Sequence, residues 1–183
     1  MEEEREVPDS TEGAVKDALA RFLPHFSRGM RQDEGERVEA TYRDLFTLSA
    51  STMDREHFDQ DIDDRIRKAG NMPLDGRRKM LEENTLALEL GRLDQQVRET
   101  ALLLFLGETR ATAEVKRGVR RTAARLGQVN AVLVGRFPES THLLEKVSEA
   151  YLDSMFILAD GKGIMSTRLR KARDELNSRK NTG

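Results

Sequence analysis

Apolar residues in this chain recur at three- and four-residue intervals and almost nowhere alternate, so the pattern predicts helices and no convincing strand. Val15, Leu19 and Phe22 mark a first helix over about 10–23, with Ser10 or Thr11 as its cap and Pro24 as its stop. Pro24–Glu34 then reads as a loop. Val38, Tyr42, Leu45 and Phe46 predict a second helix over about 35–50. Phe58, Ile62 and Ile66 predict a third over about 53–69, opening at Ser51/Thr52 and ending at Gly70. The turn-forming run Asn71–Gly76 (NMPLDG) is the expected boundary between two lobes.

Beyond that turn the pattern becomes more regular. Leu86, Leu90, Leu93, Val97, Thr100 and Leu104 are spaced 4-3-4-3-4, a coiled-coil-like seam on one long helix over about 75–106. Gly107 suits its C-cap, and Thr109 suits the cap of a following helix over about 109–135. That helix repeats the spacing at Val115, Val119, Thr122, Leu126, Val129 and Leu133. Two such helices joined by roughly two residues should fold back as an antiparallel hairpin. A sixth helix after Phe137-Pro138 carries Leu144, Val147, Tyr151 and Leu158. Asp160–Gly163 breaks it, and a basic helix over about 164–178 follows. The expected fold is all-α, two packed helical lobes with about seven helices. A loose acidic tail at 1–9 precedes an acidic lobe at 10–70 with three helices and a basic lobe at 74–183 with four.

Composition sharpens this picture. The chain has 183 residues, enough for one substantial domain or two small lobes. Hydrophobic residues make up only 37% and charged residues 35%, which fits elongated, well-solvated helices. A net charge of −2 and the plentiful Leu, Val and Phe beyond residue 80 argue against wholesale disorder. With no cysteine, disulfides, thiolate catalysis and Cys-ligated zinc are excluded. The opening residues MEEEREVPDS are acidic and lack an apolar core, unlike a secretory signal or a transit peptide. The longest strongly apolar run, Ala101–Leu106, is far too short to span a bilayer. A soluble intracellular protein is expected, cytoplasmic or nuclear, with a membrane surface still open to it.

The near-neutral total hides two opposite halves. Residues 1–64 hold 18 acids and 8 bases, net −10, and residues 65–183 hold 15 acids and 23 bases, net +8. Such asymmetry points to an anionic partner for the second half, or to attraction between unlike halves of two copies, which would give a homo-oligomer.

The basic face of the fifth helix concentrates that charge. With Arg110 set at zero and about 100° per residue, the apolar seam lies near 100–180°. Arg110, Lys116, Arg117, Arg120, Arg121 and Arg125 fall between about 240° and 60°, opposite the seam, with Glu114 as the one acid among them. Each like-charge pair at i,i+4 costs the helix about 0.2–0.5 kcal/mol. Arginine also suits forked contacts to phosphate. The bland alternatives are a solvated face or pairing with acids of the first lobe. The final helix adds Arg168 and Lys171 among seven bases from Lys162 onward, against Asp174 and Glu175, in a short basic amphipathic segment. Trp is absent and no Phe or Tyr is interleaved with these bases, so nucleic-acid binding would be backbone-directed and tolerant of sequence.

Other chemistry finds little support. Asp54-x-x-His57 and Glu139-x-x-His142 resemble half of a di-iron set, but no further inward carboxylates stand out, since Glu89 and Asp94 lie off their seam. Asp59-x-Asp61-x-Asp63 imitates the start of a calcium loop without the required Gly and Glu, and reads better as an acidic surface. Gly161-Lys162-Gly163 is a hinge rather than a phosphate loop. His25, His57 and His142 lie in no catalytic context, so neither an enzyme nor a cofactor is expected. The leading reading is a non-enzymatic structural or binding protein. Its basic lobe would engage RNA or DNA backbone, or an anionic membrane surface, in a matrix- or nucleocapsid-like role. Its rival is a helical adaptor that binds a protein partner through the heptad seams and Met155–Leu158.

Overall fold

The structure is a computed structural model that describes residues 10–107 and 110–180. The acidic stretch 1–9 and the expected cap Thr109 lie outside the described residues. Among those described, seven helices and no strand are present: α1 (Thr11–Phe26), α2 (Gln32–Thr52), α3 (Arg55–Asn71), α4 (Leu74–Leu106), α5 (Ala113–Arg136), α6 (Thr141–Leu158) and α7 (Thr167–Lys180). The chain is all-α, and no described helix is long and apolar enough to cross a membrane. It divides into two compact units, one ending at Leu88 and one beginning at Glu89. The turn at Asn71–Gly76 thus joins α3 to α4, while the units meet inside α4. The beginning of that helix contributes Met80 and Leu81 to the first core.

In the first unit, α1 packs against α2 and α3 around an aromatic centre. Phe22, Phe26, Tyr42, Phe46 and Phe58 are all essentially inaccessible to solvent. Phe22 meets Tyr42 with ring centroids 4.4 Å apart and Phe46 edge-on at 5.3 Å. Each buried ring is worth about 1.5–3 kcal/mol of burial, plus about 0.5–1.5 kcal/mol for the ring pairing. Ser10 caps α1, its hydroxyl accepting from the Gly13 amide at 3.2 Å.

Three boundaries in the first unit differ from the pattern. Pro24 does not stop α1, which runs on to Phe26. A proline this close to the end gives up one hydrogen bond, while the extra turn places Phe26 in the core, and Ser27 N–H still closes on Leu23 O at 2.9 Å. Arg77, buried on α4, also donates to the end carbonyls of Phe26 (2.5 Å) and Arg28 (2.7 Å), a cation where the helix dipole favours one. For α3, the cap is Asp54, which accepts from the His57 amide at 3.0 Å. Ser51 and Thr52 instead end α2, their hydroxyls donating to Leu48 O. α2 begins at Gln32, because Glu34 reaches back to accept from the Arg31 amide at 2.9 Å.

In the second unit α5 packs most closely on α6. Cross-links of α5 to α4 run in antiparallel register, Arg125 to Glu89 and Thr122 to Gln96. The connection covers residues 107–112, and Thr112 caps α5 by accepting from the Val115 amide at 3.2 Å. The α5 seam buries Val119, Ala123, Leu126, Val129 and Leu133. On α6 the buried face is Leu143, Val147, Ala150, Ser154 and Ile157, a rotation away from the expected Leu144, Tyr151 and Leu158. Tyr151 is 44% exposed. On the part of α4 in the second unit the buried positions are Leu90, Asp94, Val97 and Ala101, so Asp94 lies inside rather than off the seam.

Candidate anion-binding surface

The sequence named eight cations, and the structure sorts them by whether an acid has already taken them. Lys116, on one flank of the α5 strip, pairs with Asp160 at 2.6 Å. This hydrogen bond and charge hold the Asp160 carboxyl below its ordinary range. Asp160 is placed for this by the turn that ends α6, where it adopts a left-handed conformation (φ 54°) just before Gly161 (φ 75°). Arg125, on the opposite flank, makes a two-pronged contact with Glu89, one prong at 2.9 Å, and also donates to Gln128 at 2.8 Å. The Glu89 hydrogen bonds raise the Arg125 pKa.

Between these flanks lie Arg117, Arg120 and Arg121, all exposed. Among the described residues none of the three has an acidic partner. The free strip thus narrows from about 180° to about 100° of the helix circumference. The flanks are neutralised and the centre is left bare. Arg110 lies before the first turn of α5 and is exposed, and Lys171 is exposed on α7.

Arg168 belongs to a different arrangement. Its guanidinium reaches into the second unit between Asp94 and Asp153, with Nη2 at 2.5 Å from Asp94 and 2.8 Å from Asp153, and Nε at 3.0 Å from Asp153. Glu149 stands 3.7 Å away. Burial works against the Arg168 charge, but the close contacts with Asp94 and Asp153 outweigh it and raise its pKa. The 2.5 Å Asp94 contact is an ion pair without hydrogen-bond alignment, and Asp153 Oδ1 is fully buried with no hydrogen-bond partner. A residue so occupied anchors α7 to α4 and α6. It offers little to an external anion.

The acidic run on α3 is also spent internally. Asp59 accepts from Arg55 at 3.0 Å, Asp61 from Arg65 at 2.8 Å, Asp63 pairs with Arg21 and Asp64 with Arg67 at 3.1 Å. Asp54 and His57 contact each other at the α3 start, ring nitrogen to carboxylate 2.6 Å. Among the described residues no group of three or more His, Asp or Glu is placed to hold a metal ion.

Sequence reasoning could not see Glu89, Asp94, Asp153 and Asp160. Their partners lie 36, 74, 15 and 44 positions away, so no local pattern announces them. One signal was available, since a charged residue one position after a seam leucine (Asp94 after Leu93) sits at the edge of the buried stripe. The fold and this surface define a helical-bundle protein whose α5 carries three exposed arginines that meet no acid among the described residues. No family model, curated protein or solved structure matches the chain, so the surface is interpreted on its own chemistry.

Proposed function

We propose that the chain is a non-enzymatic, soluble intracellular binding protein whose second unit engages the phosphate backbone of a nucleic acid through Arg117, Arg120 and Arg121. The observation that carries this reading is the selective pairing on α5. Acids arrive from α4 and from the end of α6 to neutralise the two flanks, yet among the described residues none meets the three central arginines. Like charges at 117 and 121 repel along the helix, a cost of about 0.2–0.5 kcal/mol that an anionic ligand would reverse. Forked guanidiniums suit phosphate oxygens, and Arg110 and Lys171 add exposed charge in the same unit. An anionic membrane surface and a second copy of the chain offer related chemistry. Both differ from nucleic acid in what would compete.

The test is fluorescence anisotropy with a labelled single-stranded RNA and a duplex DNA of equal length. Three phosphate contacts predict a loss of about 20- to 40-fold in affinity between 50 and 200 mM salt, far gentler than a surface using all eight cations. Absence of binding to either probe at 50 mM would remove nucleic acid from the account. Displacement by anionic vesicles would identify a lipid surface instead, and a salt-sensitive doubling of mass would identify self-association.

A further inference from the structure

The antiparallel pair α4–α5 leaves its seam open. A cleft of about 540 Å³ lies between Leu93, Val97 and Leu103 of α4 and Val115, Gly118 and Val119 of α5. Leu93, Val97, Val115 and Val119 are heptad positions of the two seams, Val97 and Val119 themselves buried. Polar side chains span the two helices, Arg125 to Glu89 and Thr122 to Gln96. A β-carbon placed on Gly118 would meet nothing within 4 Å. Leu103 remains 40% exposed and Leu106, one turn further, 38%. An apolar cleft of this kind, left open to water, is the surface on which a third helix completes a bundle.

The rim says which helix. Arg121 lines the cleft and carries no acidic partner among the described residues, and Arg125 is held at its edge by Glu89. The stretch from Leu93 to Leu103 measures about 15 Å along the axis, some three helical turns. We propose that this cleft is a docking site for an acidic amphipathic helix of a protein partner. Its apolar residues at i, i+3, i+4 and i+7 would fill the seam, and its carboxylates would meet Arg121. This inference shares Arg121 with the proposed nucleic-acid surface, and a change at Gly118, which leaves all three arginines in place, separates the two.

Gly118 provides the test. Leu at this position is a far better helix former than Gly, its β-carbon would meet nothing within 4 Å, and its side chain would enter the cleft that Gly118 lines. The probe is a fluorescein-labelled designed peptide of about five turns, Leu at the four seam positions and Glu on the other face, with a twin carrying Lys in place of Glu. The acidic peptide should saturate the full chain near about 10 µM and the basic twin should bind at least about tenfold more weakly. Gly118→Leu should weaken the acidic peptide at least about tenfold, with Tm unchanged or raised and RNA affinity unchanged. Equal binding of the twins, parental affinity in Gly118→Leu, or no saturation by about 1 mM acidic peptide would each overturn the proposal.

Discussion

The two units solve the same problem with different materials. The first buries five aromatic rings against one another and commits most of its described arginines to its own acids and carbonyls. The second builds its core mainly from Val, Leu and Ala with Phe137, Phe156 and Ile157, places an Arg–Asp–Asp knot among them, and leaves a run of arginines that meet no acid among the described residues. Divided between Leu88 and Glu89, residues 1–88 hold 21 acids and 14 bases, net −7, and residues 89–183 hold 12 and 17, net +5. Net charge alone therefore does not distinguish a structural surface from a binding one. What matters is which charges the fold has already matched.

The largest expected effect comes from cutting the knot. Arg168→Met strands two buried carboxylates in the second unit and should destabilise it by about 3–5 kcal/mol, read as a lower denaturant midpoint. Exchanging Arg168, Asp94 and Asp153 together for apolar residues of similar size should recover most of that loss, because paired buried charges add little net stability. If Arg168→Met were silent, the knot would be a surface feature and the contrast between the units would weaken.

Acid should act on the first unit through Glu34. Hydrogen bonds from Arg78 Nε at 2.8 Å and Nη2 at 3.2 Å, then from the Arg31 amide, lower its pKa from 4.5 to about 2. A carboxylate depressed in the folded state adds stability above its unfolded pKa. The contribution is lost as pH falls from about 4.5 through about 2. Glu34→Gln should flatten the acid limb of a stability–pH profile over that window. An unchanged profile would show that Arg78 does not hold Glu34 in solution.

The smallest effect distinguishes helix from surface on α5. Gly127 is exposed and a β-carbon there meets nothing, so Gly127→Ala should stabilise by about 0.5–1 kcal/mol without touching any ligand. A loss of stability would mean that the backbone of α5 departs from a regular helix at this point.

How much of this was legible beforehand follows from the range of each interaction. Helix class and most of the seam on α5 followed from local spacing, since Val119, Leu126, Val129 and Leu133 are both periodic and buried. On α6, adjacent Leu143 and Leu144 made two faces look equally apolar. The small Ala150 and Ser154, which let the true face pack closely, carry little weight in a hydropathy pattern. Pro24 misled because its cost depends on position within the helix and on the burial of Phe26, a tertiary fact. The cationic strip was visible as a row of residues. Its division into paired flanks and a bare centre was not, because Glu89 and Asp160 come from distant helices.

The central claim is that the bare centre of α5, and not the total of basic residues, binds the polymer. The direct test compares RNA affinity at 50 mM salt for the parent chain, Arg117→Glu with Arg120→Glu, and Lys116→Glu with Lys171→Glu. The first double variant should lose at least about 100-fold while helicity and midpoint stay within about 0.5 kcal/mol of the parent. The second should lose far less, since Asp160 already occupies Lys116. Equal losses in the two would mean that binding follows net charge alone, and the matched-flank account would be wrong.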